Sequence, residues 1–185
     1  MRELPNAAKP GTQFNYNTGE TNLVGEILRA AVGSNAATYL SRKIWQPFGM
    51  EMDADWILGG AGAGAGVGAG ELGGCCISAT LRDYARVGLF ALSEGQLADG
   101  TRVLPEGWMA QSTTPSQGFA GYGYLCWLAG DGAYSARGIF GQQILVDPQN
   151  DLVIALHSNA PAAVNTNHHQ HIDAALAAIR KRLAR

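Results

Sequence analysis

The feature that most constrains the fold of this chain is a change of hydrophobic period near residue 115. Before it, apolar residues recur at helical spacing. In TNLVGEILRAAVG, Leu23, Val24, Ile27, Leu28 and Ala31 fall on one helical stripe, and Gly33 is a stop signal. NAATYLSRKIWQPFGM predicts a second short helix ending before Pro47. ISATLRDYARVGLFALSEG predicts a third, with Leu81, Tyr84, Ala85, Leu89 and Leu92 facing inward and Gly95 closing it. PEGWMAQST reads as another short helix. Beyond it, GYGYLCWLAG, ARGIFGQQILVDP and DLVIALHSN are β-prone segments separated by the turn signals AGDG and DPQND, the pattern of successive antiparallel strands. The ending HHQHIDAALAAIRKRLAR returns to helical spacing through Ile172, Leu176, Ile179 and Leu183, and is expected to lie across the sheet. The prediction is one α+β domain, with residues 1–115 mostly helical and 116–185 forming a sheet plus a C-terminal helix. Three strands make a narrow sheet, which exposes an edge unless other strands complete it.

Bulk properties narrow the function classes. A chain of 185 residues can bury roughly 70% of its unfolded surface as one domain. The net charge is −2 and the basic residues are scattered apart from RKRLAR, so nothing supports a nucleic-acid partner. No apolar run approaches the roughly 20 residues of a membrane helix. MRELPNAAKPGTQF lacks the apolar core of a secretory signal and reads as the middle of a protein, which leaves the compartment open. Cys75, Cys76 and Cys126 do not make a disulfide framework; the adjacent pair would alternate faces in a strand and is expected to pack as small core residues.

Several candidate sites weaken on inspection. NHHQH at 167–171 lacks further ligands at metal spacing before Asp173 and reads as a solvated helix start. His157 reads as a satisfied structural histidine. The Gly/Ala run within DWILGGAGAGAGVGAGEL has no leading strand or following helix to hold a pyrophosphate, so no cofactor is expected. Residues 59–70 are instead expected to form a mobile loop, a lid over a cleft with Trp56 at its hinge. Phe140, Trp127, Tyr122 and Trp56 could wall an apolar pocket, although aromatics on such segments are commonly core.

FNYNTGETNLVGEIL, GGCCISATLRDYARVGLF and RGIFGQQILVDPQNDLVIALHSN, taken in order over nearly the whole chain, resemble the β-lactamase-related serine hydrolases. That penicillin-recognising superfamily includes class C β-lactamases, D-alanyl-D-alanine carboxypeptidases, esterases and 6-aminohexanoate-dimer hydrolases; the last two segments are most similar to the nylon-oligomer hydrolase and esterase branch. The resemblance implies a β-lactamase/transpeptidase-like fold and a small-molecule amide or ester substrate. It places the catalytic tyrosine at Tyr16, a phenol that shuttles a proton to the leaving group. Thr18 stands where the family's Asn or Ser makes a substrate hydrogen bond. ARGIFGQQ matches the third motif, with Ala136 at the usual basic position, Gly138 as the motif glycine and the Ile139 N–H as one of two oxyanion donors. Ala136 leaves recognition of a substrate carboxylate, and hence β-lactam binding, without its basic residue.

The family's nucleophile is the serine of Ser-x-x-Lys. Asn6, Leu40 and Ala178 stand three residues before Lys9, Lys43 and Lys181, so the motif does not occur in these residues. The expectation is therefore the C-terminal half of a serine hydrolase, lacking the nucleophile helix and the first strands, with a complementary N-terminal chain or self-association as its macromolecular partner. A non-catalytic binding module is the alternative. Ser78 and Ser135 are other hydroxyls, neither with a lysine or histidine close in sequence.

Overall fold

A computed structural model describes residues 5–59 and 70–184. Helix α1 spans Thr18–Val32. It begins where the Asn17 side chain accepts from the Gly19 N–H and ends at Gly33, whose φ of 63° a side-chain-bearing residue adopts only with strain. Helix α2, Ala36–Leu40, is capped by Asn35 and runs on into a π-helical turn, Ser41–Trp45. Strands β1 (Asp55–Trp56) and β2 (Ile77–Ser78) form a small antiparallel ladder on either side of the Gly/Ala segment. Helix α3 spans Leu81–Leu92, capped by Thr80, and α4 spans Trp108–Ser112.

A four-stranded antiparallel meander follows in the order β3 (Trp127–Leu128), β4 (Tyr134–Arg137), β5 (Gln143–Asp147) and β6 (Leu152–Leu156). Helix α5, Thr166–Leu183, ends the chain. The α+β architecture is as expected, but ARGIFGQQILVDP is a hairpin and not one strand. Gly138 and Gly141 supply the turn, and Gly141 has a φ of 91°. Gly138 is thus the first residue beyond β4, where a Cβ would collide with the Gln142 side chain.

Strand alternation sorts the two faces of the sheet. Ile144 and Val153 meet α3 at Gly88, where a side chain would collide with both. The opposite face carries Asp147, which joins α5 through Arg180. The sheet is therefore covered on both sides, by α3 as well as by the terminal helix. This arrangement corrects the inward face assigned to α3: Asp83, Gly88 and Phe90 are its buried residues, whereas Leu81 and Leu89 are exposed.

Two buried carboxylates hold the layers. Asp83 accepts from the Glu51 N–H at 2.7 Å, the Thr80 hydroxyl at 2.8 Å and the Met52 N–H at 3.2 Å, and pairs with Arg86 at 3.2 Å. Burial pushes its pKa up, but these donors and the Arg86 charge outweigh burial and hold it below the ordinary value. Asp147 is treated alike: burial is outweighed by Asn150 Nδ2 and Arg180 Nε, each at 2.8 Å. Arg180 also reaches Asp131 at 3.0 Å, so one guanidinium ties α5 to the end of β5 and to the β3–β4 loop.

Candidate functional site

Tyr16 lies in the loop immediately before the Asn17 cap, 58% exposed and without a helical constraint of its own. Aromatic contacts fix it. Its ring meets Tyr122 edge-on at 5.6 Å and Trp127 at 5.5 Å, while Tyr122 and Trp127 contact one another at 4.9 Å. Phe14 extends the cluster to Phe119 at 4.8 Å. Burial pushes the Tyr122 phenol up to about 12, with smaller contributions from Tyr16 and Cys126, so Tyr122 stays protonated at neutral pH.

The turn after β4 sits at the same end of the sheet. Trp127 pairs with Ser135, two residues before Arg137, which closes β4. Within the turn, most donors are occupied. Gly138 N–H donates to Gln142 C=O at 2.8 Å, Gly141 N–H to Gly138 C=O at 3.1 Å, and Phe140 N–H to Gln142 Oε1 at 3.1 Å. The Ile139 N–H, at the tip side of the turn, donates to nothing among the described residues, as does the Gln142 N–H next to β5, and Ile139 is 57% exposed. Its carbonyl, in contrast, accepts from Val164 N–H at 2.7 Å, and Phe140 C=O accepts from Ala160 N–H at 3.1 Å. The segment leading into α5 therefore anchors the carbonyl side of the turn. Ser158 Oγ and His168 Nε2, 2.7 Å apart, close the same strap beneath Gly141.

Other sequence candidates separate. The Thr18 methyl lies against Gly74, part of the backbone contact in which Gly73 meets Gly25 of α1. Trp56 lines a different cavity: its indole N–H donates to Leu72 C=O at 2.9 Å and Cys75 C=O at 3.0 Å, and the walls of that cavity include none of Tyr16, Thr18, Gly138, Ile139 and Phe140. Phe140 remains on the turn. The expected lid falls almost wholly outside the described residues; its ends meet where Gly59 N–H donates to Gly70 C=O at 2.8 Å. Ser135 is buried beside the Arg137 guanidinium at 3.2 Å, and His157 contacts Tyr84 edge-on at 5.3 Å.

The cysteines depart from the expected core packing. Cys75 and Cys76 are joined as a disulfide between neighbours, with Cys76 at a φ of 85° and Cys75 exposed. Their adjacency in GGCC was the available signal. Glu71 had none: it is buried, accepts from Ala37 N–H at 2.9 Å and pairs with Arg29 at 3.5 Å, tying α1, α2 and the end of the Gly/Ala segment together.

A family model described as beta-lactamase matches residues 1–178. The chain belongs to the β-lactamase family. It is 29% identical over 164 residues to the 6-aminohexanoate-dimer hydrolase of Paenarthrobacter ureafaciens, an alignment covering 80% of this chain and 40% of that protein. A solved structure provisionally assigned as a 6-aminohexanoate-dimer hydrolase from Bacillus anthracis superposes with a TM-score of 0.80 at 25% identity, covering 100% of this chain and 48% of its own. A β-lactamase from Mycobacterium bovis gives 0.70 at 16% identity, covering 96% of this chain and 67% of that one, which shows likeness of fold. This β-lactamase-family chain thus spans less than half the length of the two hydrolase relatives. No helix among the described residues is long and apolar enough to cross a membrane.

Proposed function

We propose that this chain contributes the proton-shuttling tyrosine and one oxyanion donor to a serine hydrolase that cleaves amide or ester bonds through an acyl-enzyme. The observation that carries the reading is the Ile139 N–H, which has no acceptor among the described residues while Gly138, Phe140 and Gly141 donate within the turn, in an exposed residue at the end of the sheet where Tyr16 meets Trp127. A preorganised, unoccupied N–H is what a developing oxyanion requires, since it needs no reorganisation when charge appears. The nucleophile comes from a segment carrying Ser-x-x-Lys outside these 185 residues, either covalently joined or supplied as a complementary chain. The serine adds to the substrate carbonyl, Tyr16 passes the proton to the leaving amine or alcohol, and water then releases the acyl group. Gly138 lets the substrate backbone come close, and Thr18 and Phe140 border the site.

The test is reconstitution. The chain alone, incubated with a serine-directed phosphonate and weighed intact, should gain no stoichiometric adduct; with a family N-terminal half carrying Ser-x-x-Lys it should be thermally stabilised and hydrolyse an activated ester. A serine adduct on the chain alone would contradict the assignment of the nucleophile. A chain that ignores the added half would favour the second reading, a non-catalytic binding module. That reading draws on α1, where Leu23, Val24, Ile27 and Leu28 are exposed together and offer an apolar face to a partner or a second copy.

A further inference from the structure

A second candidate site lies away from Tyr16 and Ile139. A cavity of about 400 Å³ opens between α2 with its π-helical extension on one side and the β1–β2 ladder on the other. Its size suits a small molecule. Trp45, Trp56, Asp53, Asp55, Thr38 and Ser41 are among the residues that line it.

The chemistry of this lining is one-sided. Both indole N–H groups are already used, Trp45 donating to Met52 C=O at 2.8 Å and Trp56 to the Leu72 and Cys75 carbonyls. Those bonds pin the rings, so a ligand in the cavity meets indoles whose N–H donors are already used. Asp53 and Asp55 form no ion pair among the described residues, and no lysine, arginine or histidine lines the cavity. An anion would find no cationic donor, and a neutral apolar molecule would gain nothing from the two exposed carboxylates. A cation satisfies both groups at once: the carboxylates take its charge and the indole faces attract it through their quadrupoles. A hard metal ion is a poorer match, because it requires six or more oxygens and the described residues hold no group of three metal-binding side chains.

We infer that this cavity binds a small organic cation, an alkylammonium or quaternary ammonium group seated against Trp45 and Trp56 with its charge facing Asp53 and Asp55. The inference is independent of the hydrolase reading, because no bond is made or broken and the chain alone carries every group involved.

Titration of the isolated chain with tetramethylammonium and n-butylammonium chloride, followed by the indole N–H resonances, tests it. The Trp45 and Trp56 signals should shift saturably with millimolar affinity. Sodium butyrate and sodium chloride at equal ionic strength should leave them in place. The double variant Asp53→Asn/Asp55→Asn, conservative and exposed, should weaken binding by roughly ten-fold, the scale of two partly exposed ionic contacts. Trp56→Leu should weaken it independently, with folding checked by circular dichroism. Absence of saturation up to about 50 mM, weaker than millimolar binding, would overturn the inference. So would an equal response to butyrate, tighter binding of calcium chloride, or undiminished binding by the double variant.

Discussion

The two ends of this molecule solve the burial problem differently. The sheet is sandwiched between α3 and α5, and the buried charges there have assigned partners: Asp147 is held by Arg180 of α5 and by Asn150, and Asp83 of α3 by Arg86 and two backbone donors. In the N-terminal half α1 has no buried residue, and its most apolar stripe faces outward, with Ile27 60% exposed. Its tertiary contacts run instead through backbone and polar groups: Gly25 on Gly73, Asn22 Oδ1 accepting from Gly74 N–H at 2.8 Å, and Arg29 paired with buried Glu71. The contrast teaches that an amphipathic pattern specifies an apolar face without specifying what covers it.

The largest effect expected from this contrast is at Arg180. Arg180→Met should destabilise the chain by about 3–5 kcal/mol in denaturant unfolding, because Asp147 would be left buried without its cation. A loss below 1 kcal/mol would show that α5 is not fastened to the sheet in this way. Next, Gly88→Ala should cost about 1–3 kcal/mol, since its methyl would be forced into Val153 and Ile144 at the α3–sheet contact. The same substitution in an exposed helix interior would stabilise by up to about 1 kcal/mol, so even its sign discriminates.

Acid titration extends the comparison. Asp83 and Asp147 both have pKa values held below the ordinary 3.8 in the folded state. A carboxyl depressed on folding contributes stability that is fully present above its unfolded pKa and is lost as the pH falls through its folded one. Stability measured below about pH 4 should therefore decline with falling pH. Asp83→Asn should lower stability at neutral pH and flatten that acid limb; an unchanged limb would mean that the carboxylate is not held as described. The smallest effect is expected on α1. Ile27→Glu should change the stability of the monomer by no more than about 0.5 kcal/mol, yet reduce self-association seen by sedimentation. A core-sized loss from Ile27→Glu would place the stripe in a buried interface of the chain itself.

Legibility in the sequence follows the range of the determining interactions. Gly33 ends α1, and Gly95, with a φ of 73°, lies just past the Ser93 that closes α3, because stop signals act within a turn of the chain; the caps Asn17 and Thr80 are not singled out in the sequence. The β-prone segments were readable as antiparallel, but GIFGQ concealed a reversal: glycine is compatible with a strand bulge as well as with the φ of 91° that Gly141 adopts. Periodicity also favoured Leu81 and Leu89 over the true contact at Gly88, since close approach is made by the smallest residue and hydrophobicity does not register it. Asp147 with Arg180, and Glu71 with Ala37, are pairings across 33 and 34 positions that no local pattern announces. Tyr16 and Ile139 were reached through family resemblance. That the Ile139 N–H has no acceptor among the described residues is not legible in the sequence, because it depends on which neighbouring donors find acceptors.

The proposed division of labour is tested most directly by Tyr16→Phe in the chain complemented with a Ser-x-x-Lys segment, compared with Tyr122→Phe, which removes a phenol from the same aromatic cluster. With both variants complementing to equal extent, Tyr16→Phe should lower kcat for ester hydrolysis by roughly 10²- to 10⁴-fold, the loss expected of a general acid/base, while Tyr122→Phe should stay within about ten-fold of the parent. Equal rates for Tyr16→Phe and the parent would contradict the assignment of the proton shuttle to Tyr16.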